Sequence, residues 1–225
     1  MILNGLADGC IVINLDSRQD KLQQTKEELE KVKVPFIRQK GITVQDKTLP
    51  IRYAGHVGCG LSHIAAYKKA LSLGWKKLFV VEDDIVFVDS FLSWLPHIEE
   101  CFRIAKPLCD IFYFWTKDKP DNYITEWVSK IGGTGKTHAM ILSEMSMRWM
   151  ISFYEPVVNY FLINPDYREN IQRYNNEIWI IDQFYKRHFV GNMWATNKQI
   201  IYTRENFSDI DQSVVWATNT NTPKE

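Results

Sequence analysis

Residues 78–88 read LFVVEDDIVFV. Leu78 to Val81 is an unbroken apolar run without polar alternation, the pattern of a strand buried on both faces. Glu82, Asp83 and Asp84 end that run, and Ile85 to Val88 resumes it. Side chains alternate across a strand, which puts Glu82 and Asp84 on one side and Asp83 on the other. Three adjacent carboxylates at the end of a buried strand repel one another unless cations offset them, and a divalent metal is the simplest such cation. An all-oxygen cluster suits Mg²⁺ or Mn²⁺ and leaves coordination positions for phosphate oxygens. The plainer reading of the same residues is an acidic turn leading to a helix capped by Ser90. Open α/β sheets bind ligands at the carboxyl ends of their strands, and this cluster stands at such an end.

Strand and helix alternate outward from this point. Cys10 to Leu15 (CIVINL) reads as a buried strand, and Asp16 and Ser17 are placed to cap a helix from Arg18 to about Val32. That helix turns Leu22, Thr25, Leu29 and Val32 inward and Lys21, Gln24, Glu27, Glu28 and Lys31 to water. Phe36 to Ile42 reads as a second strand and 43–55 as a loop. Gly58, Gly60 and Ser62 precede a helical pattern that reaches Leu73, with Gly74 at its C-terminal stop. Ser90 opens a helix over Phe91 to Ala105, and Asp110 to Trp115 is another strand. After Trp115 come a charged turn (Lys117 to Asp121), a glycine-rich loop (Ile131 to Thr137), a strand from Thr137 to Leu142, and a helix from Ser143 to about Tyr154. A helix over Glu177 to Phe189 and a strand over Gln199 to Thr203 follow. The expected fold is α/β, a Rossmann-related, mostly parallel sheet with helices on both faces, in one domain over 1–217 with a polar tail at 218–225.

Composition bounds the function. With 225 residues, 45% of them apolar and 24% charged, the chain is long enough for a core and is not of a disordered or coiled-coil class. Lys plus Arg equals Asp plus Glu at 27 each, so no net field draws the chain to nucleic acid or an anionic membrane. The four cysteines show no C-x-x-C spacing, which fits a reducing compartment such as the cytoplasm. No stretch is long and apolar enough to span a bilayer, leaving peripheral association as the membrane option. The N-terminus lacks a basic region before its apolar residues and reads as a strand, not a signal peptide.

Three further groups bear on chemistry. Lys130 to Thr137 (KIGGTGKT) resembles a phosphate-binding P-loop, but the motif needs glycine at position 130, where this chain has lysine. A nucleotide-hydrolysing reading through Lys136 is therefore the weaker alternative. Asp182 sits among Ile180, Ile181 and Phe184, so it is either paired in the core or kept for function. Asp209 and Asp211, in Phe207 to Trp216 (FSDIDQSVVW), are either turn formers or late acids for a metal shell. The histidines show neither H-x-x-x-H nor H-E-x-x-H spacing, which argues against a zinc catalytic centre.

The segments VINLDSRQD (12–20), VGCGLSH (57–63), LFVVEDD (78–84), THAMILS (137–143), IIDQF (180–184) and SDIDQSVVWATN (208–219) together resemble glycosyltransferase family 25. That family includes lipooligosaccharide and collagen hydroxylysine galactosyltransferases, and the pieces fall in its order. The resemblance implies a GT-A fold, a UDP-sugar donor, Mn²⁺ held by the acidic strand end, and transfer with inversion to a hydroxyl on a glycan or protein. On that reading 1–115 is the nucleotide-sugar and metal half and 116–217 the acceptor half. Glu82 and Asp84 hold the metal, with Asp209 or Asp211 completing the shell and Asp83 assisting through water. Asn14, Leu15, Asp16 and Arg18, with Gly58, Ser62 and His63, bind uridine and ribose at helix N-termini. Asp182 is the candidate general base, its apolar surroundings raising carboxylate basicity. A protein of the same fold that binds a nucleotide sugar without transferring it is the alternative from another class.

Overall fold

The computed structural model describes residues 3–105, 109–114, 122, 123, 125–132, 137–168, 178–189, 191–204, 206–208 and 213–215. Strand β1 (Gly9–Asn14) leads through α1 (Gln19–Lys31) to β2 (Phe36–Lys40) and through α2 (Ile51–Ser72) to β3 (Lys77–Glu82). After β3 come β4 (Ile85–Phe87), α3 (Phe91–Ala105), β5 (Ile111–Tyr113), β6 (Asn122–Tyr123), β7 (Val128–Ile131) and β8 (Ala139–Ser143). The chain continues with α4 (Glu144–Ile163), α5 (Ile181–His188), β9 (Met193–Thr196), β10 (Ile201–Thr203), β11 (Asn206–Ser208) and β12 (Ser213–Val215).

Eight strands form one sheet in the order β2-β1-β3-β8-β5-β9-β7-β6. The pairings β1–β2, β1–β3 and β5–β9 are parallel, and β3–β8, β5–β8, β7–β9 and β6–β7 are antiparallel. The α/β class is the one read from the sequence. Parallel pairing governs where strand and helix alternate, and antiparallel strands enter after residue 115, where that alternation stops.

Alternation along the strands sorts the core into two layers. Ile11, Ile13, Leu78, Val80, Tyr113, Met140 and Leu142 pack against α2, α4 and α5. Cys10, Val12, Phe79, Val81, Phe112 and Ile141 pack against α1 and α3. Burying each such large side chain contributes about 1.5–3 kcal/mol, so the all-apolar β3 is stabilised from both sides. This three-layer arrangement fixes the carboxyl end of β3, where the acids emerge.

Several local expectations are corrected. Arg18, not Asp16 or Ser17, occupies the cap of α1, and no side chain bonds there; Asp16 is drawn off by Arg38 and Lys40, each at 2.6 Å. Lys21 and Glu28 are buried, because α1 packs against β4 at Glu28 and lies near Asp83 and Asp84 at Lys21. Glu28 there accepts from the Phe87 backbone N–H (3.1 Å) and from Lys31 Nζ (2.6 Å).

Helix α2 begins at Ile51, so Gly58, Gly60 and Ser62 lie inside it and do not precede it. Its end is as read: Gly74 has φ +75°, and Trp75 N–H donates to Ala70 O at 3.1 Å, closing a Schellman turn. Ser143 caps α4 by accepting from Ser146 N–H, and the helix runs past Tyr154 to Ile163. No described helix is long and apolar enough to cross a membrane. The four cysteines are free thiols.

Candidate active site at the end of strand β3

Glu82 N–H donates to His138 O at 2.8 Å, extending the β3–β8 ladder by one step and bringing the His138 ring beside the acids. After Glu82 the chain turns through Asp83 and Asp84 into β4, and Asp84 O accepts from Arg204 N–H at 2.7 Å, just beyond β10. The acids divide as strand alternation requires. Glu82, Asp84 and His138 each place a ligand-type atom within 4.8 Å of the others. Asp83 turns the other way and accepts from Asn14 Nδ2 at 2.6 Å.

The three carboxyls have different electrostatics. Burial drives Glu82 upward, but His138 and His63 outweigh it and hold the carboxyl well below its ordinary range. His63 Nε2 is 3.2 Å from Glu82 Oε1, Thr137 Oγ1 donates to the same oxygen at 2.9 Å, and His138 Nδ1 is 3.6 Å from Oε2. Burial raises Asp83 to about 6, with the Asn14 hydrogen bond and the charge of Lys21 opposing it. Asp84 is raised by burial and lowered in part by His138. Its Oδ1 is buried without a hydrogen-bond partner among the described residues.

An orphaned carboxylate oxygen next to a second carboxylate and an imidazole fits a divalent cation, since a buried anion without such compensation is costly. Glu82 and Asp84, the ligands expected from the sequence, lie together, and His138 joins them in a group that could hold a metal ion. His138 was not legible because its partner lies more than fifty residues away on a strand that runs antiparallel. Lys21 was missed for the opposite reason, a polar residue assigned to water by periodicity that instead lies inside, near Asp83 and Asp84. Asp209 and Asp211 lie outside the described residues.

The end of β1 stands beside the acids. Asn14 is buried, donates also to Arg18 O (2.8 Å), and accepts from Arg38 Nε at 3.0 Å. Arg18 forks onto Asp20, with both contacts at 3.1 Å, and Asp16 is held by Arg38 and Lys40. Leu15 O accepts from Arg18 N–H at 3.0 Å. These residues do lie at a helix N-terminus, that of α1.

The Gly58–His63 segment does not. It packs mid-helix, where a Cβ on Gly58 would come within 2.4 Å of Ile42 O, and Ser62 Oγ bridges Gly58 O (2.6 Å) and Ile42 N–H (2.7 Å). Gly58 and Ser62 therefore seat the loop after β2 on α2, and no free N–H groups are offered there. His63 does reach the site, through Glu82. With Nε2–H donating to Glu82, Nδ1 accepts from Tyr67 OH (3.1 Å), which accepts in turn from Tyr185 OH (2.9 Å).

That buried chain ends on α5, whose first turn carries Asp182. Asp182, Glu82 and Asp84 all raise the Cys59 thiol behind its main cause, burial, so Cys59 lies within electrostatic reach of all three. Asp182 thus shares an electrostatic neighbour, Cys59, with the acids. The P-loop context is not met. Lys130 and Ile131 end β7, residues 133–136 lie outside the described residues, and the chain next enters strand β8, whereas a P-loop opens a helix.

No curated protein sequence matches the chain. Among solved structures, A197 from STIV is similar at 9% identity with a TM-score of 0.50, covering 96% of each chain, a likeness of fold alone. A glycosyltransferase involved in the glycosylation of the major capsid of PBCV-1 aligns at 8% identity over 84% of this chain and 92% of that chain, with a TM-score of 0.38 too low to add to it. Residues 53–126 match the sequence model of glycosyltransferase family 25 (LPS biosynthesis protein). The stretch that builds α2, β3 and the acidic turn is thus the stretch that matches glycosyltransferase family 25, and this match supports glycosyl transfer as the chemistry of the chain.

Proposed function

We propose that this chain is a metal-dependent inverting glycosyltransferase with a GT-A-like core that moves a hexose, galactose or glucose, from a UDP-sugar to a hydroxyl on a glycan or a hydroxylysine-type side chain. The observation that carries the reading is the grouping of Glu82 and Asp84, inside the family-matched stretch 53–126, with His138 just before β8, Asp84 Oδ1 being buried and unbonded among the described residues.

In an inverting transfer the acceptor oxygen attacks the anomeric carbon as the diphosphate leaves from the opposite face. A Mn²⁺ or Mg²⁺ ion at Glu82 and Asp84 would stabilise the charge that gathers on the leaving diphosphate. His63 and Thr137 orient Glu82 by hydrogen bonds, and His138 stands on its other oxygen. Asp83, fixed by Asn14, and the start of α1 are the donor-side groups. Asp182 takes the acceptor proton as the new bond forms, because a sugar hydroxyl does not ionise near neutrality.

Incubation with Mn²⁺ and a panel of nucleotide sugars, with and without glycan and hydroxylysine acceptors, tests the reading. The expected result is acceptor-stimulated release of UDP that stops on chelation. Absence of nucleotide release from every donor and acceptor pair, in protein shown to be folded, contradicts it.

A further inference from the structure

Cys59 and His63 are four residues apart on α2, so they project from one helix face. That face meets the end of β3, where Cys59, His63 and Glu82 each place a ligand atom within 4.8 Å of the others. The His63 Nε2 to Glu82 Oε1 separation of 3.2 Å is close to the edge of a tetrahedron, about 3.3 Å, around a zinc ion bound to nitrogen and oxygen at about 2.0–2.2 Å. His63 is buried, and its other nitrogen faces Tyr67 OH, itself held by Tyr185. A second-shell hydrogen bond of this kind fixes a ligating imidazole. Cys59 and Glu82 are each partly exposed, and His63 between them is buried.

The donor set differs in kind from the neighbouring one. Glu82, Asp84 and His138 are rich in oxygen and suit Mn²⁺ or Mg²⁺, whereas thiolate with imidazole selects zinc-class ions. We propose that Cys59, His63 and Glu82 form a second metal site, which takes Zn²⁺ through one thiolate, one imidazole and one carboxylate oxygen with a fourth position open. On binding, the Cys59 thiol gives its proton to solvent, His63 coordinates through Nε2, and Nδ1–H donates to Tyr67. Glu82 belongs to both groups, so occupation of this site withdraws it from Asp84. That consequence, zinc opposing the oxygen-liganded ion, rests on the proposed function, while zinc binding itself does not.

The test is a titration of the metal-stripped full chain with Co²⁺ as a zinc probe. A thiolate-to-cobalt charge-transfer band in the near ultraviolet is expected, bleached by one equivalent of Zn²⁺. Cys59→Ser should lose the band while keeping the wild-type melting temperature, and Tyr67→Phe should keep the band but bind Zn²⁺ roughly 10- to 100-fold more weakly. Mn²⁺, followed by its electron paramagnetic resonance, should be displaced at lower Zn²⁺ concentration in the wild type than in Cys59→Ser, where Zn²⁺ competes only at the group of Glu82, Asp84 and His138. No charge-transfer band in the wild type, or a band that survives in Cys59→Ser, overturns the site. A band lost with Cys59 in a protein that binds no Mn²⁺ supports the thiolate site and counts instead against the oxygen-liganded one.

Discussion

The imidazole of His63, in the middle of α2, lies 3.2 Å from the Glu82 carboxylate at the end of β3. This contact and that of His138 on the opposite oxygen keep Glu82 ionised in spite of burial. Asp84, two residues on, has its Oδ1 buried without a partner among the described residues and is pushed upward by burial. The pair is therefore asymmetric, with the charge of Glu82 stabilised by imidazoles and that of Asp84 disfavoured by burial.

Asp83 makes the pH dependence specific. Its pKa is about 6 in the folded chain, against an ordinary value of 3.8, because burial disfavours its charge. The folded state thus binds more protons than the unfolded one between roughly pH 4 and 6, and stability falls as pH rises through that window, by a contribution on the order of 3 kcal/mol. Asp83→Asn should remove this slope. Urea unfolding of both proteins at pH 4 and pH 6.5 should show the variant gaining relative to the wild type with rising pH, and parallel curves would contradict the assignment. Glu82 acts with the opposite sign, its contribution being lost only as pH falls below the ordinary glutamate range.

Asn14 is buried and donates to the same Asp83 carboxylate at 2.6 Å. Asn14→Ala removes a hydrogen bond to a charged group and leaves a poorly solvated acceptor, a loss of about 1.5–3 kcal/mol. The loss should be smaller in an Asp83→Asn background, where the acceptor is neutral. A double-mutant cycle by chemical denaturation measures the coupling, and strictly additive effects would count against it.

Gly58→Ala distinguishes a packing glycine from one that approaches a ligand. The added Cβ would sit 2.4 Å from Ile42 O, a backbone atom that cannot swing aside. Overpacking of this kind costs about 1–3 kcal/mol and outweighs the helix-propensity gain of about 1 kcal/mol. The variant should lose stability in urea yet, once folded, retain its nucleotide affinity. A more stable variant, or one that folds normally and binds nucleotide poorly, would contradict this.

The parts of this architecture that were legible in the sequence are those fixed by neighbours in the chain. The apolar run of β3, the start of α3 after Ser90, the Ser143 cap and the Gly74 stop depend on local composition and backbone geometry. What failed depended on distant partners. Residues 51–58, with glycine at 55 and 58, have poor helix propensity, yet they are helical because α2 packs along α4 and the loop after β2. Lys21 and Glu28 carry charges that periodicity assigns to water, but both are buried, Glu28 against β4 and Lys21 near Asp83 and Asp84. In the site, the acids were legible from their adjacency, whereas His138, Thr137 and the Tyr67–Tyr185 chain become neighbours only through sheet register and helix packing.

The proposed function assigns Asp182 to the chemistry, as the base that takes the acceptor proton. Asp182→Asn keeps the shape of the side chain and removes its basicity. Donor affinity and melting temperature should stay near those of the wild type while turnover falls by at least about a hundredfold. A variant that melts early yet retains near-normal turnover per folded molecule would make Asp182 a structural residue.

In the proposed function Asp84, with Glu82, holds a divalent ion that binds the donor diphosphate. Calorimetric titration of a UDP-hexose into wild type and Asp84→Asn, each with Mn²⁺ and with chelator, tests it most directly, since the amide conserves shape while removing the charge. Mn²⁺-dependent binding is expected in the wild type, and its loss in a folded Asp84→Asn protein. Equal affinity with and without Mn²⁺, or undiminished Mn²⁺-dependent binding in the variant, would contradict it.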